Sequence, residues 1–203
     1  MIIKVCGMCN PENIQQVAGL GIHWMGFIFY EKSPRYLRLS TLPPLSSTKK
    51  VGVFVNATHE EMLQTAVHFQ LDYLQLHGEE SPEDCYALQK RGFDIIKAFP
   101  ITTVEDLKKT QAYTGYADYF LFDTRCYGYG GSGKSFDWSI LNAYTGETPF
   151  ILSGGIRPES LTSLQHFHHP CLAGIDLNSG FEIEPGLKDI EKLKHFINEI
   201  KRS

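Results

Sequence analysis

Eight short apolar runs, each followed by a segment of helical character, divide this 203-residue chain from end to end. No other feature limits its fold as strongly. The runs are residues 2–6, 24–29, 51–55, 73–76, 94–98, 119–122, 150–152 and 172–175. Between them, Pro11 opens a helix carrying Ile14, Val17 and Ala18. Thr58 caps one carrying Met62, Leu63, Ala66 and Val67. Ser81-Pro82-Glu83-Asp84 is a capping box with proline at the first helical position. Thr102 or Thr103 is expected to cap a helix over 104–113, with further helices over 136–144 and from Pro158. A last helix is marked by Leu187, Ile190, Leu193, Phe196, Ile197 and Ile200 at helical spacing. A short second helix is expected after Lys32-Ser33-Pro34-Arg35-Tyr36, with weak signals. Strands each followed by a helix imply parallel pairing and right-handed crossovers. An open doubly wound sheet needs only five or six such units, so eight predict an α/β fold of the closed (β/α)8 barrel type. The whole of 1–203 then forms one domain, at the lower size limit of that fold.

In such a barrel, chemistry belongs in the loops after the C-terminal ends of the strands. Ser153-Gly154-Gly155-Ile156 and Asp176-Leu177-Asn178-Ser179-Gly180 follow strands seven and eight. Glycines there let backbone N–H groups approach a phosphate closely, so these two loops predict a phosphate cradle. The formal net charge of −4 leaves no basic footprint for nucleic acid or an anionic membrane. It does not exclude an anionic small ligand held by backbone amides. No apolar run reaches 18 residues and the start lacks signal-peptide character, so a cytoplasmic location is expected.

Cys6 ends strand one, and alternation puts Lys4 on the same face; a nearby ammonium should lower the thiol's pKa. Asp123 ends strand six behind Tyr119-Phe120-Leu121-Phe122, whose apolar floor would keep its carboxyl available as a general acid. Asp176 ends strand eight and either joins the chemistry or pairs with Lys4 across the barrel. Residues 124–135 form a long glycine-rich stretch of the kind that closes over ligands. Cys6-Gly7-Met8-Cys9 is a C-x-x-C without a second half, which argues against a zinc site, although a tight turn there would bring two thiols within disulfide reach. The eight histidines show no metal-ligand spacing.

These pieces, in this order, resemble the phosphoribosylanthranilate isomerase family. They are Lys4-Val5-Cys6-Gly7, residues 26–36 of strand two, Val51-Gly52-Val53-Phe54-Val55-Asn56 and Leu74-Gln75-Leu76-His77-Gly78. Asp123 follows, then the G-x-G-x-x-F-D-W run from Gly131 to Trp138, then 174–180 and Pro185-Gly186-Leu187-Lys188-Asp189. Two departures stand out: Cys9, where the family often has threonine, and Ser153 in a run often Ala-Gly-Gly. The resemblance implies an Amadori rearrangement of N-(5-phosphoribosyl)anthranilate in tryptophan synthesis, with no metal or organic cofactor and a monomer or homodimer as the working unit. It implies Asp123 as general acid, Cys6 as general base, and Arg35, His77 and Asp176 as substrate contacts. Gly131 and Gly133 join Ser153, Gly154, Gly155, Asn178, Ser179 and Gly180 around the phosphate. The competing readings are another phosphosugar-converting barrel enzyme, such as an epimerase or synthase, and a non-catalytic phospho-ligand sensor.

Overall fold

A computed structural model describes residues 1–124 and 138–202. Eight parallel strands close into a barrel in chain order. They are β1 (Ile2–Cys6), β2 (Trp24–Ile28), β3 (Lys49–Phe54), β4 (Tyr73–Leu76), β5 (Asp94–Pro100), β6 (Tyr119–Asp123), β7 (Phe150–Ser153) and β8 (Leu172–Leu177). Closure comes from β1 on β8, in a register that sets Lys4 beside Asp176.

Alternation along the strands divides the core in two. Trp24, Val51, Ile96, Ala98, Leu121 and Ile151 form one cluster, backed by Tyr73 and Tyr119, which fills the barrel interior near the strand starts. The larger cluster lies between barrel and helices, with Val5, Phe27, Leu76, Phe122 and Leu152 meeting Ile14, Met62, Leu88 and Phe196. Burying each such side chain stabilises the fold by about 1.5–3 kcal/mol.

The helices follow their local signals. In α1 (Pro11–Ala18) the Asn10 side chain accepts from the Asn13 N–H; the expected capping box forms in α3 (Pro82–Gln89), and in α2 (His59–Phe69) the Thr58 cap is completed to a box by Glu61. The next helix differs from expectation. Only Val104–Leu107 is α-helical (α4), continuing as a 3₁₀ turn over Lys108–Tyr113. Asp106 accepts from the N–H and hydroxyl groups of both Thr102 and Thr103, and its own N–H donates to the Thr103 carbonyl at 3.2 Å. Similarly, Pro158–Ser160 is a 3₁₀ turn leading into α5 (Leu161–His166), and the described part of the 136–144 segment is a 3₁₀ helix, Trp138–Ala143.

The expected second helix is absent. Between β2 and β3 the chain runs through turns, with one parallel bridge from Ile28 to Tyr36. Pro34, Pro43 and Pro44 remove amide donors and bias their predecessors away from helix. Leu39, Leu42 and Leu45 pack on the core where a helix would have lain. A small antiparallel hairpin, β9 (Glu182–Glu184) and β10 (Leu187–Lys188), precedes α6 (Ile190–Arg202), so Leu187 belongs to the hairpin and not to the helix. Among the described residues, no helix is long and apolar enough to cross a membrane.

Candidate active site

The strand ends surround a cleft of about 660 Å³. Cys6, Arg35, His77, Asp123, Ser153, Gly154, Gly155, Asp176, Asn178 and Ser179 all line it. Gly131, Gly133 and the rest of the 124–135 stretch beyond Thr124 lie outside the described residues.

On the β1 side, Cys6 is 4% exposed. Gly26 of β2 makes room for it, since a Cβ there would stand 2.6 Å from the sulfur. Lys4, fully buried beneath, reaches Asp176 Oδ1 at 2.9 Å. This pairing joins neighbouring strands at the closure seam and does not cross the barrel. The Ser153 hydroxyl donates to the other carboxylate oxygen at 3.2 Å. Lys4 is raised above the ordinary lysine value: burial pulls it down, but Asp176 and Cys6 more than compensate. The expected lowering of the Cys6 thiol is not found. Burial pushes it up and outweighs the pull of Lys4, with the Asp176 charge adding to burial. The lysine is where alternation puts it, but its charge is already shared with a carboxylate.

On the opposite wall, His77 Nε2 stands 3.6 Å from Asp123 Oδ2. Gln75, one inward position below on β4, places its amide nitrogen 2.8 Å from His77 Nδ1. The loop that carries His77 is fixed from outside the barrel. Glu80 accepts from the N–H groups of Asn56 and Gly78 (2.8 and 2.9 Å), and Lys97 donates to Leu76 O, Gly78 O and Glu80 Oε2.

The glycines of the expected cradle do different work. Gly154 has φ +88°, and a Cβ there would meet the Thr124 backbone at 2.4 Å, so it lets the β6 and β7 loops touch. Gly180 is not part of the cleft lining. A Cβ there would lie 2.2 Å from the Ile156 carbonyl oxygen, so this residue lets the β8 loop pack on the β7 loop. Gly155 has φ +66° and open space around its missing Cβ. Of these three, it is the one whose substitution would intrude on the cleft alone.

Arg35 enters the cleft with its guanidinium already engaged. Its Nε donates to Glu182 at 2.8 and 3.0 Å, and its Nη2 reaches the same carboxylate. Lys188, fully buried, binds that carboxylate too and donates to Asn178 Oδ1 at 2.8 Å. Burial holds Lys188 below the usual lysine range despite Glu182; burial would raise Glu182, but the bonds from Arg35 and Lys188 bring it below its usual range. Asn13 of α1 holds the Lys188 backbone as a strand partner would, accepting from its N–H at 2.8 Å and donating to its carbonyl at 2.9 Å. The Cys9 thiol donates to Arg35 O at 3.1 Å, and both Cys6 and Cys9 are free thiols. An acceptor–donor pair of this kind suits a threonine hydroxyl equally well.

Sequence reading missed Gln75, Glu182, Lys188 and the Lys97–Glu80 clasp. Gln75 and Lys97 left a signal, being polar residues within apolar strands. Glu182 left none, because its role depends on a hairpin that brings it back 147 residues to Arg35. Among the described residues, no three His, Cys, Asp or Glu side chains group closely enough to hold a metal ion.

A family model described as N-(5'-phosphoribosyl)anthranilate (PRA) isomerase matches residues 3–199. The N-(5'-phosphoribosyl)anthranilate isomerase of Parabacteroides distasonis is 65% identical, over 98% of this chain and 93% of its own length. That of Phocaeicola vulgatus is 52% identical, over 100% and 98%. Among solved structures, phosphoribosyl anthranilate isomerase from Thermotoga maritima superposes with a TM-score of 0.84 at 36% identity, covering 100% of both chains. A phosphoribosyl anthranilate isomerase in complex with reduced 1-(o-carboxyphenylamino)-1-deoxyribulose 5-phosphate gives 0.82 at 33% identity, again covering 100% of both. By the family match along nearly its whole length and these full-length likenesses, the chain belongs to the N-(5'-phosphoribosyl)anthranilate isomerase family.

Proposed function

We propose that this chain converts N-(5-phosphoribosyl)anthranilate to 1-(2-carboxyphenylamino)-1-deoxyribulose 5-phosphate, with Asp123 as general acid and Cys6 as general base. The observation that carries this reading is that the two side chains open onto one cleft, from β6 and β1, beside the Gly154–Gly155 and Asn178–Ser179 loops.

Asp123 gives its proton to the ribose ring oxygen as the C1′–O bond breaks and the amine lone pair forms a C1′=N iminium. Cys6, as thiolate, then takes the C2′ proton. The C–H electrons become the C1′=C2′ bond, and the iminium electrons return to nitrogen. The resulting enolamine tautomerises to the ketone, losing the hydroxyl proton and gaining one at C1′. The substrate's own nitrogen is the electron sink. Lys4 supports the thiolate from below and Asp176 keeps Lys4 in place. The phosphate lies over the Gly154–Gly155 and Asn178–Ser179 backbones, and the anthranilate carboxylate takes the Arg35 donors that Glu182 leaves unspent. A dimer is one assembly open to the chain, since a structural relative from Thermotoga maritima is described as dimeric.

The test is turnover followed by loss of substrate fluorescence. Cys6→Ser and Asp123→Asn should each lower kcat by about 10²–10⁴-fold, the usual worth of a general acid or base, with affinity for a reduced product analogue nearly unchanged. A variant that keeps near-full kcat removes its residue from the chemistry. A wild-type protein that binds the analogue without turnover would be a sensor.

A further inference from the structure

Gln75 is 1% exposed, inside the barrel and in the cleft wall. Its amide nitrogen, which can only donate, lies 2.8 Å from His77 Nδ1. That nitrogen of the ring must therefore accept, and the ring proton belongs on Nε2, the atom 3.6 Å from Asp123 Oδ2. The other end of the amide is exceptional. Among the described residues, Gln75 Oε1 is the single buried side-chain nitrogen or oxygen atom with no hydrogen-bond partner. Its register neighbours are Val53 on β3 and Ile96 on β5, which offer no side-chain donor. Native folds rarely leave such a group unpaired, and this one belongs to a residue of the cleft wall. A leucine of similar size would suit this level of the barrel better if packing were all that mattered.

We propose that Gln75 is a positioning residue for the acid, resting on the reading of Asp123 given above. By holding His77 in the Nε2–H tautomer, it directs an imidazole N–H at one oxygen of the Asp123 carboxyl. The transferable proton is thereby confined to the other oxygen, and the carboxylate left after ring opening keeps a donor.

The experiment is ¹⁵N NMR of histidine-labelled wild-type protein, with His77 assigned by the signal lost in His77→Asn, together with kinetics of two variants. The wild type should show a proton on Nε2 and a bare Nδ1. Gln75→Leu should mix the tautomers and lower kcat tenfold or more. Its affinity for a reduced product analogue should stay within about threefold, and its melting temperature should be equal or higher, where a structural role would lower it. Gln75→Glu, nearly identical in shape, accepts instead of donating once ionised; it should put a proton on His77 Nδ1, seen as a shift of that ¹⁵N signal, with its kcat measured at the same pH. An Nδ1–H tautomer in the wild type overturns the proposal whatever Asp123 does. So does a Gln75→Leu protein within twofold of wild-type kcat. Full turnover by Asp123→Asn would instead bring down the acid assignment and leave the tautomer result standing.

Discussion

Lys97 and Lys4 are both almost fully buried lysines in barrel strands, and each meets one carboxylate at 2.9 Å. They nevertheless behave as opposites. Lys97 points outward and spends its three protons on Leu76 O, Gly78 O and Glu80. The Glu80 oxygens in turn hold the Asn56 and Gly78 N–H groups. Every valence in that clasp is used, and its product is a fixed loop under His77. Lys4 points inward, meets Asp176, and has the Cys6 thiol as its other neighbour. Asp176 itself lines the cleft. A saturated buried pair is a fastening, whereas a pair with donors in reserve next to a cavity is available for chemistry.

Removing each cation should produce the largest contrast. Breaking a buried pair from one side costs about 3–5 kcal/mol, so Lys97→Met should lose that much in urea unfolding while activity per folded molecule falls less than tenfold. Lys4→Met should invert the pattern. Its Asp176 keeps Ser153 and an opening to solvent, so stability should fall by clearly less, while kcat/KM drops by at least about tenfold, the worth of one pKa unit at the thiol. Equal stability losses in the two variants would erase the distinction.

A smaller effect separates fastening from function among the glycines. Gly180→Ala drives a methyl into the Ile156 carbonyl and should destabilise the protein by about 1–3 kcal/mol, as overpacking does. Gly155→Ala meets open space and only a left-handed backbone, a strain of about 1–2 kcal/mol. It should raise KM for the phosphorylated substrate but not the Kd of a dephosphorylated analogue. Parallel losses for both ligands would place Gly155 with Gly180.

The smallest effect is on pH dependence. With its folded value raised, Cys6 is a thiol at neutral pH, so the thiolate fraction and kcat/KM should climb as pH rises. Lys4→Met removes a downward pull and should move that limb further up, whereas Lys97→Met should leave it in place. The sign for stability follows from the same shift. Folding favours the protonated thiol, a contribution intact below the ordinary thiol value and lost as pH rises through the folded one. Wild type should therefore lose more stability than Cys6→Ser between neutral and alkaline pH.

How much of this could be read beforehand depended on how local each cause was. Strand alternation and capping residues act over a few positions, so all eight strands and the α1 to α3 starts were legible. The missing second helix was legible as well, had Pro34, Pro43 and Pro44 been weighted over weak periodicity. Cys6, Asp123 and Asp176 could be placed at the cleft because strand ends are countable. The direction of the thiol was misjudged because sequence shows that Lys4 is near but not how completely the barrel buries Cys6, with the Asp176 charge adding to burial. Gly180 was assigned to the ligand for a related reason: glycine marks close approach, but not what approaches.

The Lys4–Asp176 contact spans 172 residues, from the first strand to the last. Contacts that distant carry the largest chain-closure entropy, and topologies built on them fold slowly. During synthesis β1 emerges first, and its Cys6 waits for nearly the whole chain before Lys4 receives a partner. The Cys6 side of the cleft is thus completed by the same event that shuts the barrel, because the Asp176 partner of Lys4 arrives with β8.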